Sequence, residues 1–200
     1  MEYIEGEAIE TLKELDPSVI DNLMHSLFEL TFKELFELQL MQTDANFANY
    51  LFQHQSQRVA LLDFGASRRF SKRFASDYKR LLRAVANNDP DATIIAADKL
   101  GYKASEASED YQRFLIEVFN IALEPTAQTG LYDFKSSRLS ERLSDLSQQG
   151  YSFKEFWQTP PADILYLHRK IGGMFMLATR LGARVNTHSI VAPYLQQLKI

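Results

Sequence analysis

Three polar residues in the first third of the chain have types and spacing that could support chemistry. Asp44 and Asn49 are five residues apart, and Asp63 follows Asn49 by fourteen residues. Between them, the apolar runs "NYLF" and "RVALL" flank the polar stretch "QHQSQ", which predicts a hairpin with a five-residue loop. Because a hairpin brings its two ends together, we expect Asn49 at the start of one strand to lie near Asp63 at the end of the other.

An amide oxygen and a carboxylate on adjacent strands form a hard oxygen site of the kind that suits Mg²⁺. The second carboxylate, Asp44, could orient or deprotonate an attacking hydroxyl. After Asp63, Phe64 supplies an apolar side chain, and Gly65 supplies a backbone that can turn sharply. Taken singly, however, each acid could be an ordinary turn or strand-end residue.

The elements that would hold these residues are mostly helical. Pro17 after Asp16 is typical of a helix start, and apolar residues at helical spacing then predict a helix over 17–38. Apolar residues at helical spacing also predict a helix that starts near Ser71 and ends at the turn "NNDPD". Later helices are predicted over 91–100 with Gly101 as the C-cap, 105–123, 137–148 and 161–181. The predicted fold class is mainly α with one small β-hairpin.

Composition excludes several classes of protein. The 200 residues are 46% apolar, enough for the core of one domain. A net charge of -4 leaves no overall electrostatic signature for nucleic acid. Cysteine is absent and the four histidines are scattered, so thiolate and zinc sites are not expected, and a reducing compartment fits. The acidic N-terminus lacks the pattern of a signal peptide, and no apolar run is long enough for a transmembrane segment.

Two charged clusters have alternative interpretations. The basic residues Arg68, Arg69, Lys72, Arg73, Lys79, Arg80 and Arg83 could form a patch for phosphate or an anionic membrane, but Asp77 and the apolar stripe favour a solvated helix face. In "LHRKIGGMFML", paired glycines favour a tight helix crossing. The adjacent His168, Arg169 and Lys170 could face a ligand or lipid headgroup, or simply solvent.

The order of the three candidate residues along the chain matches the order of the catalytic and metal-binding motifs in protein kinases. In that class, an Asp is followed five residues later by Asn, and a hairpin then leads to Asp-Phe-Gly. The chain has Asp44, Asn49, the predicted hairpin and the triplet Asp63-Phe64-Gly65 in this order. The triplet alone would be weak, but the ordered set is far more specific and indicates phosphoryl-transfer ancestry.

The segments "MQTDANFANYLF" and "VALLDFGASRRF" resemble the UbiB (AarF) family of atypical kinase-like proteins, which is linked to ubiquinone (coenzyme Q) biosynthesis. "MEYIEG" looks like the segment leading into that family's interlobe hinge, "RLLRAVANNDPD" like the helix after its metal loop, and "LHRKIGGMFMLATRLGA" like its late helix. The resemblance covers essentially the whole chain. It is especially close to the subgroup in which Gln-Thr, here Gln42 and Thr43, precedes the catalytic Asp.

The resemblance implies a role for each residue and the cofactors ATP and Mg²⁺. Asp44 corresponds to the catalytic Asp, Asn49 and Asp63 correspond to the Mg²⁺ ligands, and all three would contact the bound Mg²⁺-nucleotide. Ala45 departs from the family, which usually has Pro at this position, and alanine would loosen the loop without removing a ligand.

The resemblance also implies that residues 1–200 form a single domain, a kinase-like C-terminal lobe that starts at the interlobe hinge. The family's Lys-x-Gly-Gln helix and alanine-rich nucleotide loop, both N-lobe features, have no counterpart in these residues, so we expect the N-lobe to be absent. No Ala-Pro-Glu segment follows Gly65, which argues against an ordinary platform for protein substrates.

Three functions are compatible with these residues. The first is the C-lobe of a UbiB-type kinase or ATPase that binds Mg²⁺-ATP and supports ubiquinone biosynthesis. The second is an inactive, pseudokinase-like scaffold or a truncated gene product. The third, a small-molecule phosphotransferase of the aminoglycoside or choline kinase type, is disfavoured because such enzymes usually lack the Phe-Gly pair.

The family implies a nucleotide as ligand, and quinone-biosynthesis proteins or membrane-surface lipids as partners. Nucleic acid and a transmembrane segment are not expected. The implied location is cytoplasmic and peripheral to the inner membrane in a bacterium, or mitochondrial in a eukaryote.

Overall fold

A computed structural model of the chain describes residues 3–12, 15–44, 46–150, 153 and 160–196. Helix α1 (Pro17–Lys33) begins at Asp16, whose carboxylate accepts a hydrogen bond from the Ser18 N–H at 2.8 Å. A π-helical segment, Glu34–Leu38, continues α1, and the left-handed Gln39 (φ 48°) then ends it. The predicted helical extent of 17–38 is therefore confirmed, although its last five residues are wider than an α-helix.

The predicted hairpin is confirmed as strands β3 (Tyr50–Gln53) and β4 (Arg58–Leu61). Its loop is one residue shorter than predicted, because Gln53 pairs with Arg58 and leaves only 54–57 in the turn. Two more strands precede the hairpin, β1 (Glu7–Ala8) and β2 (Leu40–Gln42), and β5 (Ser67–Arg69) follows it. Antiparallel pairing of β1 with β3 and of β2 with β5 encloses the segment that contains the candidate residues.

The remainder of the described chain is mainly helical. Its elements are α2 (Lys72–Ala86), α3 (Pro90–Lys99), α4 (Glu109–Ala127), β6 (Tyr132–Asp133), α5 (Leu139–Gly150), α6 (Ala162–Leu181), β7 (Arg184–Val185) and α7 (Thr187–Gln196). Short 3-10 turns occur at Ile9–Thr11, Phe47–Asn49 and Ala104–Glu106. The mainly α class is confirmed, and the strand pairs β1–β3, β2–β5 and β6–β7 are additions to the predicted hairpin.

One predicted helix start was wrong, and one half of the α6 glycine pair makes no close contact. The helix expected over 105–123 begins only at Glu109, because the Ser108 hydroxyl accepts the Tyr111 N–H and caps the helix there. The glycine pair of α6 was expected to permit a tight helix crossing. A Cβ placed on Gly172 would meet no atom within 4 Å, so no neighbour approaches closely at that position.

Helix α6 is anchored by an aromatic core. Phe175 lies 5.9 Å from Phe28 of α1 and 5.6 Å from Phe134, and Phe28 and Phe134 stack at 5.3 Å (ring centroids). These rings are almost fully buried and contribute strongly to stability because each covers a large apolar area. The packing places the N-terminal half of α6 beneath the loop between β2 and β3.

Candidate functional site

The loop between β2 and β3 holds Asp44 through local hydrogen bonds. One carboxylate oxygen of Asp44 accepts the Asn46 N–H at 3.2 Å, and the other accepts the Asn49 Nδ2–H at 3.0 Å. The Asn46 side chain in turn caps the Phe47–Asn49 turn by accepting the Ala48 N–H at 3.1 Å. The structure thus brings Asp44 and Asn49 together. Ala45, the departure from the family pattern, lies outside the described residues.

The register of the hairpin places Asn49 beside the segment that contains Asp63. The Asn49 carbonyl accepts the Leu62 N–H at 2.9 Å, one step beyond the Tyr50–Leu61 pair. Asp63 follows immediately and is exposed, and its Oδ1 accepts the Gly65 N–H at 2.7 Å.

A second connection joins the two halves of the site. Thr43, directly before Asp44, donates both its N–H and its hydroxyl to the Ala66 carbonyl, at 3.1 Å and 2.7 Å. Thr43 is buried, whereas Ala66 is exposed. Two contacts therefore link the loop that contains Asp44 to the segment around Asp63: Asn49 with Leu62, and Thr43 with Ala66.

Asn49 and Asp63 each carry a side-chain oxygen of the type that Mg²⁺ prefers. The Asn49 amide nitrogen bonds Asp44, which orients the amide and leaves its Oδ1 as an acceptor. Asp63 uses Oδ1 for the Gly65 bond and retains Oδ2. Among the residues that the structure describes, no three His, Asp or Glu side chains form a metal-binding group. Mg²⁺ characteristically uses only one or two carboxylates when it binds with a phosphate substrate.

Sequence analysis missed the buried polar group beneath the loop. Lys170 of α6 is only 2% exposed, which corrects the expectation that it could face solvent. Its Nζ donates to Gln42 Oε1 at 3.0 Å and to the Tyr50 hydroxyl. The adjacent Glu34 is also buried and accepts the Gln42 N–H at 3.3 Å. The only early signal was a Lys next to an apolar stripe of α6, which does not distinguish burial from exposure.

Burial shifts the pKa of both charged members of this group. It lowers the pKa of Lys170, and the negative charges of Glu34 and Asp44 oppose that shift. It raises the pKa of Glu34, and the Lys170 charge opposes that shift. Burial also raises the pKa of the Tyr50 hydroxyl, which therefore stays protonated as a hydrogen-bond donor.

Helix α6 contacts the site at two further points. The Arg169 guanidinium lies 3.4 Å from Asp44 Oδ1 and is otherwise largely exposed. Asp163 pairs with Arg68 of β5 at 2.8 Å, and the Arg68 guanidinium lies 4.7 Å from the centre of the Tyr166 ring. Arg169 is thus placed where it could meet a phosphate ligand, whereas Arg68 is engaged within the fold.

The basic cluster of α2 is largely bound to the protein itself. The buried Asp77 carboxylate contacts Arg80 and lies 3.8 Å from Arg73. Lys79 lies over the rings of Phe36 and Tyr194, and Arg83 donates to the Leu195 carbonyl. The sequence favoured a solvated helix face over a phosphate patch. Arg73 is largely exposed, whereas Lys79 and Arg83 pack against the fold.

Comparison with known proteins gives a consistent result. The model of the ABC1 atypical kinase-like domain matches residues 1–96. The mitochondrial atypical kinase COQ8B of Rattus norvegicus is 31% identical over 185 residues, which cover 92% of this chain and 35% of the relative. The mitochondrial atypical kinase COQ8 of Saccharomyces cerevisiae is 29% identical, over 93% of this chain and 37% of the relative. The chain thus spans about a third of the length of these relatives.

The fold has a solved counterpart. The structure of Rv3197 from Mycobacterium tuberculosis in complex with erythromycin matches with a TM-score of 0.70 and 20% identity, over 95% of this chain and 47% of that protein. This likeness confirms the kinase-like fold. Within the described residues, no helix is both long and apolar enough to cross a membrane. Residues 1–96 thus match the ABC1 atypical kinase-like domain, and most of the chain is similar to atypical kinases of the UbiB/COQ8 family.

Proposed function

We propose that residues 1–200 form the C-terminal lobe of a UbiB-type atypical kinase or ATPase that binds Mg²⁺-ATP and supports coenzyme Q biosynthesis. The observation that carries this proposal is the hairpin itself. The Asn49 side chain donates a hydrogen bond to the Asp44 carboxylate. The Asn49 carbonyl accepts a hydrogen bond from the N–H of Leu62, the residue directly before Asp63. Three residues with oxygen-bearing side chains therefore lie near one end of β3 and β4 along the backbone, in the order that kinases use.

Each residue has a distinct part in the proposal. Asn49 and Asp63 would bind Mg²⁺ through the oxygen atoms that their other hydrogen bonds leave free. Mg²⁺-ATP supplies the phosphoryl group and the charge neutralisation that its transfer requires. Asp44 would orient the acceptor hydroxyl or water and accept its proton, since its two local hydrogen bonds leave lone pairs available.

Phosphoryl transfer also requires a phosphate loop and a lysine from the opposite side of the nucleotide. The direct test on this chain is therefore ligand binding. The location depends on the source: the inner membrane surface facing the cytoplasm in a bacterium, or the mitochondrion in a eukaryote, as the names of the curated relatives state for those proteins.

Calorimetric titration of the chain with ATP, with and without Mg²⁺, tests the proposal. We expect submillimolar binding that requires Mg²⁺, and Asp63→Ala should weaken it at least about tenfold because a metal ligand is lost. Asp133→Ala is a matched control, because Asp133 makes the same kind of local turn by accepting the Lys135 N–H at 3.0 Å.

Binding by Asp63→Ala that equals wild type would contradict the role of Asp63. Absence of Mg²⁺-ATP binding in the wild-type chain would instead favour the inert scaffold. A loss of binding in Asp133→Ala as large as that in Asp63→Ala would show that turn disruption, and not metal binding, explains the effect.

A further inference from the structure

A triangle of buried hydrogen bonds closes the base of the loop that contains Asp44 and Asn49. Lys170 Nζ donates to both Gln42 Oε1 and the Tyr50 hydroxyl, and that hydroxyl donates to Gln42 Oε1 at 3.2 Å. The donors and acceptors are mutually consistent, because an amide oxygen accepts two bonds and a phenol both accepts and donates. All three side chains are buried.

The two loop residues of this triangle occupy informative positions. Gln42 is the last residue of β2, and Tyr50 is the first residue of β3. They immediately bracket 43–49, the segment with Asp44 near one end and Asn49 at the other. Because Lys170 bonds both Gln42 and Tyr50, it sets the distance between the two ends of the loop. Through that distance it also sets the geometry of the Asp44–Asn49 hydrogen bond.

Packing alone does not require an ammonium group at this position. Burying a lysine costs free energy, and well-packed apolar residues often replace buried charges without loss of stability. Burial lowers the pKa of Lys170, and the negative charge of the buried Glu34 opposes that shift. One carboxylate oxygen of Glu34, Oε2, makes no hydrogen bond within the described part of the chain. The free-energy cost of burying Lys170 is more readily explained by its ordering of Gln42 and Tyr50 than by a gain in the stability of the fold.

We propose that Lys170 is a positioning residue that holds Asp44 and Asn49 in their binding geometry by fixing Gln42 and Tyr50. The use of this geometry for Mg²⁺-ATP rests on the proposed function, whereas the ordering of the loop does not. Lys170 does not contact the ligand in this arrangement. Its effect reaches the site only through the two residues that it bonds.

Amide hydrogen exchange of the whole chain tests the ordering directly. In Lys170→Met, which keeps the length and apolar part of the side chain, we expect the Asn49 and Leu62 amides to exchange about tenfold faster. These amides donate to Asn46 O at 3.1 Å and Asn49 O at 2.9 Å and so report on the loop. Amides in the middle of α4 should keep their wild-type rates, because they lie in another part of the fold.

Lys79→Met is the matched control, because Lys79 is partly buried and packs on Phe36 and Tyr194 instead of the loop. It should leave exchange at Asn49 and Leu62 unchanged. If Lys170→Met does not fold, Tyr50→Phe removes only the hydroxyl corner of the triangle and should accelerate the same amides by a smaller factor.

Two results would overturn the inference. The first is loop exchange at the wild-type rate in a folded Lys170→Met or Tyr50→Phe. The second is equal acceleration at the loop and in α4, which would indicate general destabilisation.

Titration with Mg²⁺-ATP separates this inference from the proposed function. We expect about tenfold weaker binding in Lys170→Met than in Lys79→Met. If the wild-type chain does not bind while its loop amides respond as expected, the proposed function fails and the positioning role stands.

Discussion

At the scale of single residues, the orientation of Asp63 depends on a glycine two positions later. The Gly65 N–H binds Asp63 Oδ1 at 2.7 Å, and a Cβ on Gly65 would lie 3.1 Å from that same oxygen. That distance is tighter than nearly all natural Cβ contacts. The Asp63 carboxylate and a side chain at position 65 therefore compete for one space.

Gly65→Ala should displace the Asp63 carboxylate and weaken Mg²⁺-ATP binding, with little effect on stability. Because Asp63 is exposed, the shift costs little packing, and the free energy of unfolding should change by less than about 1 kcal/mol. Calorimetric titration and urea denaturation of the same samples measure the two effects. Binding at wild-type strength in Gly65→Ala would mean that the local orientation of Asp63 is not critical.

At the scale of elements, α6 connects the separate parts of the site. It contacts β5 through Asp163 near its start, and Asp44 and the base of the loop through the neighbouring Arg169 and Lys170. Its opposite side joins the aromatic core through Phe175. A helix fixed on one side by packing can thus hold loops on the other, and its stability bears on the site as a whole.

Gly172→Ala should stabilise the protein by about 0.5–1 kcal/mol, because alanine loses less backbone entropy in a helix than glycine does. No atom lies within 4 Å of the new methyl group, which would face the apolar groove lined by Leu139, Leu143, Phe175 and Met176. A rise in the urea midpoint with an unchanged slope would confirm the expectation. A lower free energy of unfolding in Gly172→Ala would instead support the tight helix crossing that the glycine pair predicted.

At the scale of the whole molecule, the packing of α6 against α2 creates a dependence of stability on pH. The His168 ring meets the Tyr78 ring edge to face at 6.1 Å, and burial lowers the pKa of His168 to about 4. The unfolded chain binds this proton near its ordinary pKa of about 6.5. Between these values the unfolded state carries more protons, so the stability contribution is complete above about 6.5 and is lost as the pH falls towards 4.

We expect His168 to account for a decrease of about 1–3 kcal/mol in the free energy of unfolding between pH 7 and pH 4. Urea denaturation of wild type and His168→Phe across this range measures it. Because the other titrating groups are shared, the difference between the two proteins isolates His168. His25→Gln, at an exposed position, should keep the wild-type pH profile. Parallel profiles for wild type and His168→Phe would contradict the assignment.

Local sequence determined the elements that depend on neighbouring residues. Asp16-Pro17, Ser71 and Asp89-Pro90 mark helix starts because their side chains bond backbone N–H groups two or three residues ahead. The hairpin follows from two apolar runs around a polar turn, and its pairing places Asn49 near Asp63 without any distant contact. The same spacing indicated the family. The late start of α4 was missed because Ser105 and Ser108 are both plausible caps.

Only the tertiary structure decided which residues support the site. Lys170 is 128 residues from Gln42, and no local pattern on α6 separates it from its exposed neighbour Arg169. Its burial depends on how the Phe28, Phe134 and Phe175 cluster fixes the rotation of α6 beneath the loop. The sequence by itself determined the proposed oxygen ligands, which flank one hairpin. The cation beneath them was decided by packing, because hydrogen bonds between distant segments form only when the whole core brings those segments together.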